Sequence, residues 1–261
     1  MVFDSKTIQY NIECHNKIWF PYARIVGSAK YRLFCFPHAG GTASKYSSFF
    51  ESFDKNFEIF AIQIPGRENR FREIPYTSIK LLCEEIFNVL VQLSDKPFVF
   101  FGHSMGAVIA FELARLFHKS NLQLPKHLLL SSHRAPDIQL RHKPLYNLPE
   151  KELLEELSKL GGTAKELFLN SYLFRTFIPT IRADLSIAQT YVYEDEKPLP
   201  ISISVFGGDN DMYVGSDDLT GWQKQTTKSF TLNLFKGGHF YLYDNKYDFL
   251  SIIKKILYND I

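Results

Sequence analysis

The sequence predicts an α/β domain: a mostly parallel central sheet with helices on both faces. Three observations predict it. Short apolar runs of strand length alternate with segments whose apolar residues return every three or four positions. One of these runs, Phe98-Val99-Phe100-Phe101, leads straight into Gly102-His103-Ser104-Met105-Gly106 and then into a helix-like stretch at 107–117. That order is a strand, a sharp turn holding a serine, and a helix leaving it. Finally, the alternation breaks between about 141 and 200, where helical patterns replace strands and mark an insertion between two core strands.

Taken in order, residues 31–36 and 57–64 read as strands, the second running into the turn Pro65-Gly66-Arg67. Residues 78–93 carry Ile79, Leu82, Ile86, Leu90 and Leu93 at helical spacing and read as an amphipathic helix. Residues 98–101 form the strand before the serine and 105–118 the helix after it. A buried strand follows at 128–131. In the insertion, Pro149-Glu150-Lys151-Glu152 opens a helix toward Leu160, stopped by Gly161-Gly162-Thr163, and further helical stretches cover 164–169 and 173–191. Strands at 201–206 and 230–235 and a helix at 244–257 complete the chain. An insertion in this position lies above the carboxyl ends of the strands, where open α/β sheets bind ligands, and reads as a lid over the serine. One domain over 1–261 with a lid at about 141–200 is the expected organisation, since no repeat or long linker divides the chain.

Bulk properties exclude several function classes. The formal net charge is +2 and no run of five basic residues occurs, so neither nucleic acid nor an anionic membrane surface is an expected partner. Cys14, Cys35 and Cys83 are odd in number and widely spaced, without a C-x-x-C pair, which reads as free thiols rather than zinc or a redox pair. The polar N-terminal segment lacks a signal-peptide core, and no stretch approaches a membrane span. A soluble cytoplasmic protein is expected.

The chemistry follows from the turn. Gly102 and Gly106 leave room for a strained serine whose hydroxyl stands clear of the sheet, with the positive end of a helix dipole beneath it. A serine hydroxyl needs a base, and in this fold the acid and then the histidine follow the serine in the chain. Of eight histidines, His239 alone lies in a late loop after a strand, in Gly237-Gly238-His239-Phe240. The acid loop, Gly207-Gly208-Asp209-Asn210-Asp211, offers two aspartates; spacing from Gly208 selects Asp211, with Asp209 as the alternative and turn-capping as the role of the other. Two backbone N–H groups must hold the oxyanion. Met105, after the nucleophile, gives one. The small-residue loop Pro37-His38-Ala39-Gly40-Gly41 gives the other, assigned to Ala39 with Gly40 next. His38 and His103 are read as loop or packing residues rather than a second base.

With these segments placed, the chain resembles the type II thioesterases of non-ribosomal peptide and polyketide synthetases and of animal fatty-acid synthesis. The resemblance rests on Trp19-Phe20, on Phe36-Pro37-His38-Ala39-Gly40-Gly41, and on the Ile64-Pro65-Gly66-Arg67 turn. It rests also on the Gly-His-Ser-Met-Gly turn, on Leu160-Gly161-Gly162-Thr163 and Arg182-Ala183-Asp184 in the insertion, and on Gly237-Gly238-His239-Phe240. One departure stands in the acid loop, where Asn210 occupies a position at which the family often has Asp. Arg67 and Asp184 fall in matching motifs and read as a salt bridge holding a turn or the lid.

The resemblance implies an α/β-hydrolase fold and a substrate held as an acyl thioester on the phosphopantetheine arm of an acyl or peptidyl carrier protein. It implies hydrolysis through an acyl-serine, an editing role, and no cofactor beyond the phosphopantetheine that the substrate carries. A monomer is expected. Arg134, Arg141, Lys143 and Lys151, beside the lid, are candidates to meet a carrier, with plain solvation as the alternative. Phe168, Phe174 and Phe177 are candidates to line an acyl groove. Two rival functions share parts of this reading: a carboxylesterase or lipase acting on oxygen esters, and a non-catalytic binding protein of the same fold.

Overall fold

The computed structural model describes residues 17–161 and 171–260. The strands are β1 (Tyr22–Arg24), β2 (Tyr31–Phe36), β3 (Phe57–Ala61), β4 (Phe98–His103), β5 (His127–Ser131), β6 (Ser202–Gly208) and β7 (Phe230–Phe235). They form one sheet in the order β1-β3-β2-β4-β5-β6-β7. Every pairing is parallel except β1 on β3, which is antiparallel. The fold is that of the α/β hydrolases, as the sequence predicts.

Period-two alternation sorts the strand side chains between two cores. Phe34, Phe36, Phe98 and Phe100 face one side, under α2 (Ile79–Val91) and α3 (Met105–Lys119). Leu33, Cys35, Val99 and Phe101 face the other, under α1 (Ser47–Ser52) and α8 (Lys246–Asp260). Strands buried on both faces have no polar side, which is why they read as continuous apolar runs. Cys35 and Cys83 are free and buried in these cores, and burial holds both thiols well above the usual thiol pKa.

Between β5 and β6 the insertion contributes α4 (Glu150–Leu160) and α5 (Ser171–Gln189), and α6 (Ser216–Thr220) and α7 (Tyr241–Asp244) follow later in the chain. Leu153, Leu157, Phe174, Ile181 and Leu185 give the insertion its own apolar cluster. The stop at Gly162-Thr163, the short helix at 164–169, Phe168 and Cys14 lie outside the described residues.

Beyond shifts of a residue or two at element ends, the structure departs from the sequence reading in three places. β3 ends at Ala61: the Ile62 N–H makes the last donation to β2, at the Cys35 carbonyl (3.0 Å), and the Gln63 N–H turns to the Trp19 carbonyl (2.8 Å) instead. The closing helix divides at Asn245, whose side-chain amide donates to the carbonyls of Lys236 (2.8 Å) and Tyr241 (2.9 Å) and so ends α7. β1 is an additional edge strand of three residues.

Candidate active site

Ser104 stands between β4 and α3 with φ +54° and ψ −118°, a left-handed backbone that a non-glycine residue adopts only when its surroundings impose it. The imposition is visible on both sides. The Ser104 N–H donates to the Ser131 carbonyl at 2.7 Å, tying the turn to the end of β5. At Gly106, a Cβ would lie 2.1 Å from the Phe36 carbonyl oxygen, so only glycine lets α3 start this close to β2. A second left-handed serine, Ser132 at φ +47°, follows β5, and its hydroxyl donates to the His239 carbonyl at 3.3 Å.

His239 comes from the loop after β7 and is 8% exposed. Its Nδ1 lies 2.7 Å from Asp211 Oδ2. A carboxylate accepts only, so Nδ1 carries the proton and the Nε2 lone pair is left for a hydroxyl. The other oxygen of Asp211 accepts the N–H groups of Tyr213 (3.0 Å) and Val214 (3.3 Å), which fixes the carboxylate. The acid and histidine loops pack backbone on backbone: a Cβ on Gly208 would lie 2.3 Å from the carbonyl oxygens of Gly237 and Gly238. Asp209 points elsewhere. Its Oδ1 accepts the Gly237 N–H at 3.0 Å and the Asn210 side-chain amide at 2.8 Å, the turn-capping role.

Ser104, His239 and Ala39 line two cavities that meet at the serine. The larger, of about 510 Å³, is walled by Phe71, Leu157, Phe177, Ile181, Leu185 and Phe240. The smaller, of about 70 Å³, runs past Ser132, Leu145, Leu185 and Val214 toward Arg134, Gln139, Arg141 and His142. Of the groove candidates, Phe177 lines the larger cavity, whereas Phe174 is buried in the insertion's apolar cluster. Arg134 is half-buried and donates from Nε to the Ile138 carbonyl, Arg141 pairs with Asp218 at 3.1 Å, and Lys143 and Lys151 are exposed.

The loop at 38–41 is almost fully hydrogen-bonded. The Gly41 N–H donates to the His38 carbonyl (2.8 Å), and the Gly40 N–H donates to Asp184 Oδ2 (2.7 Å). Among the described residues no hydrogen bond falls to the Ala39 N–H, so of the two candidate donors in this loop Gly40 is occupied and Ala39 is open. Met105 is the first residue of α3, where the N–H groups have no partner within the helix. Arg67 and Asp184 form the buried salt bridge read from the sequence, Nη1 to Oδ2 at 2.6 Å and Nη2 to Oδ1 at 2.7 Å.

His38 and His103 pack around the site. The His38 ring lies 5.8 Å from that of His103, which lies 5.3 Å from that of His239. Burial pushes the His38 pKa down to about 4, with His239, Arg67 and Lys45 adding to the effect. Burial likewise holds His103 well below the ordinary histidine value. Both stay neutral at neutral pH, so positive charge forming on His239 meets no adjacent cation. No local pattern signals the network beneath them, where His103 Nδ1 meets Ser131 Oγ at 2.8 Å and Ser131 Oγ meets the Tyr241 hydroxyl at 2.8 Å; these residues lie 28 and 110 positions apart.

Known proteins resemble this chain over most of its length. A family model described as "Thioesterase domain" matches residues 31–257. The gramicidin S biosynthesis protein GrsT of Aneurinibacillus migulanus is 37% identical over 239 residues, covering 92% of this chain and 93% of that protein. The structure of the type II thioesterase BorB from the borrelidin biosynthetic cluster superposes with a TM-score of 0.83 at 36% identity, over 91% of this chain and 97% of that one. ClbQ from the colibactin NRPS/PKS pathway gives 0.83 at 27% identity, over 88% and 98%.

Proposed function

The chain belongs to the thioesterase family, and from that premise we propose how its own residues carry the reaction. It is a serine thioesterase of the type II, editing kind, hydrolysing acyl groups held as thioesters on the phosphopantetheine arm of carrier proteins. Ser104 is the nucleophile, His239 the base and Asp211 the acid. The observation that carries these roles is the 2.7 Å contact of His239 Nδ1 with Asp211 beside a serine held at positive φ on the same cavity walls.

Ser104 Oγ attacks the thioester carbonyl carbon while its proton passes to His239 Nε2. Asp211 holds the ring in the tautomer that can accept it and stabilises the imidazolium that results. The N–H groups of Ala39 and Met105 take the oxyanion; removal of one such donor typically costs about a hundred- to a thousand-fold. The tetrahedral adduct collapses, the C–S bond breaks, and the thiolate leaves with the proton from His239. A thiol of pKa ~8.5 leaves far more readily than an amine, so this step asks little of the acid. Water then gives a proton to His239 and attacks the acyl-serine; the adduct collapses, His239 returns that proton to Ser104 Oγ, and the acyl group leaves as a carboxylic acid. The substrate's phosphopantetheine is the only prosthetic group the chemistry uses.

The two cavities suit the two parts of such a substrate, an acyl group and a thiol-bearing arm. The chain acts as one domain whose insertion at about 141–200 covers the serine, and Arg134 and Arg141 line the smaller cavity, where a carrier would approach. It works as a cytoplasmic monomer; among the described residues no helix is long and apolar enough to cross a membrane.

The test is hydrolysis of a panel of acyl-phosphopantetheinyl carriers and of oxygen esters with the same acyl groups. Carrier thioesters are expected to turn over faster than the matched esters, and Ser104→Ala to lose about a thousand-fold or more. Equal turnover of the esters would favour a general esterase.

A further inference from the structure

The thioesterase reading leaves the buried Arg67–Asp184 ion pair without a task in the reaction. Asp184, on α5, is fully buried, and Arg67, in the turn after β3, is 2% exposed. Burying charges in this way is weak as a stabilising device, because a well-packed apolar pair of the same volume commonly does as well. What distinguishes this pair is what else it holds. Asp184 Oδ2 accepts the Gly40 N–H at 2.7 Å, and Arg67 Nη1 donates to the Gly41 carbonyl at 3.0 Å. From the other side, His38 Nδ1 donates to the Ala39 carbonyl at 2.9 Å. The Ala39–Gly40 peptide is thereby gripped at both its oxygen and its hydrogen.

We propose that Asp184, held by Arg67, is a positioning residue for the oxyanion hole: it fixes the Ala39–Gly40 peptide so that the neighbouring Ala39 N–H stays directed at the developing oxyanion.

The proposal rests on the thioesterase reading above. Oxyanion stabilisation is effective because its donors are oriented before reaction. A glycine-rich loop does not hold such an orientation unaided, since its peptides turn at little cost. A carboxylate is a strong acceptor for the adjacent N–H, but a lone carboxylate beside an oxyanion would repel it. Arg67 removes that conflict, because the bidentate pair is neutral overall while its acceptor remains. Asp184 sits on the same helix as Ile181 and Leu185, which wall the larger cavity, so one rigid element carries both the acyl contact and the loop anchor.

The experiment compares two double variants in the full chain: Arg67→Met with Asp184→Leu, and Arg67→Met with Asp184→Asn. Both remove the charges together, so neither strands a buried ion. Only asparagine retains an acceptor for Gly40. Active sites are counted by complete labelling with a fluorophosphonate, and kcat per site, KM and the affinity for a trifluoromethyl ketone analogue of the acyl group are measured. The leucine pair is expected to lose about ten- to a hundred-fold in kcat per site with KM within about threefold, and to lose ketone affinity in parallel. The asparagine pair is expected to recover at least about fivefold in both. A purely structural role would lower the melting temperature or the number of sites without moving kcat per site. The proposal is overturned if the leucine pair turns over per site as the unaltered protein does, or if the asparagine pair is as slow as the leucine pair. Should the leucine pair not fold, Asp184→Thr with Arg67→Met, too short to reach Gly40, is read in the same way. Absence of thioester turnover in the unaltered protein would count against the function, while the ketone affinities would still decide the role of Asp184.

Discussion

Asp209 and Asp211 stand two positions apart and do different work. Asp211 meets His239 at 2.7 Å, whereas Asp209 holds the Gly237 N–H at 3.0 Å. Asp211→Asn is expected to leave the loop geometry in place but to present His239 in the wrong tautomer, lowering kcat by about ten-thousand-fold. Asp209→Ala is expected to cost about 1 kcal/mol of stability through the lost hydrogen bond, with kcat reduced less than tenfold. Steady-state kinetics and urea melts on the two variants check both statements; the reverse order of activity losses would move the acid role to Asp209. The sequence named both aspartates and preferred Asp211 on spacing from Gly208. It had no means to name Asp184 as the partner of Gly40, since the two lie 144 positions apart and meet only once α5 has packed against the loop after β2. Contacts of that kind leave no local pattern.

Among the elements, β4, the serine turn and α3 were legible because three signals agree there: an apolar strand, glycines at fixed offsets, and a helical period. α2 was legible from its helical spacing, and Ser78 caps it by accepting the Leu81 N–H; β7 was legible as a short apolar run. β1 was not, because three residues with exposed or half-exposed side chains carry no period; its place comes from pairing with β3 and from Arg24, whose Nη1 donates to the Phe53 carbonyl at 2.7 Å. The division of the last helix at Asn245 was equally hidden, since asparagine interrupts or continues a helix according to what its amide finds. Gly106→Ala tests how tightly β4, α3 and β2 are joined. A methyl group 2.1 Å from the Phe36 carbonyl forces two backbones apart, so a loss of about 3 kcal/mol or more, together with loss of fluorophosphonate labelling, is expected. A variant with unaltered melting temperature would show that the start of α3 shifts freely.

At the scale of the whole molecule, buried histidines link stability to pH. Burial lowers His38 to about 4 and His133 to about 3, and holds His103 well down, against an ordinary value near 6.5. These groups are neutral when folded and take up protons more readily when unfolded. Their contribution is therefore intact above about pH 6.5 and is lost as the pH falls toward 4, each histidine adding a slope of up to about 1.4 kcal/mol per pH unit. Urea midpoints measured at pH 7.5, 6 and 5 are expected to fall steadily; a flat series would show that the rings are hydrated in the native state. Burial also closes over sulfur. Cys35 and Cys83 sit inside the two apolar layers, and their thiols resist ionisation. A protein that handles activated acyl groups at a thioester risks self-acylation by sulfur-to-sulfur exchange, a reaction that needs an accessible thiolate. Neither of these cysteines offers one, so an acyl group in transit finds an oxygen nucleophile and no competing sulfur within the described fold.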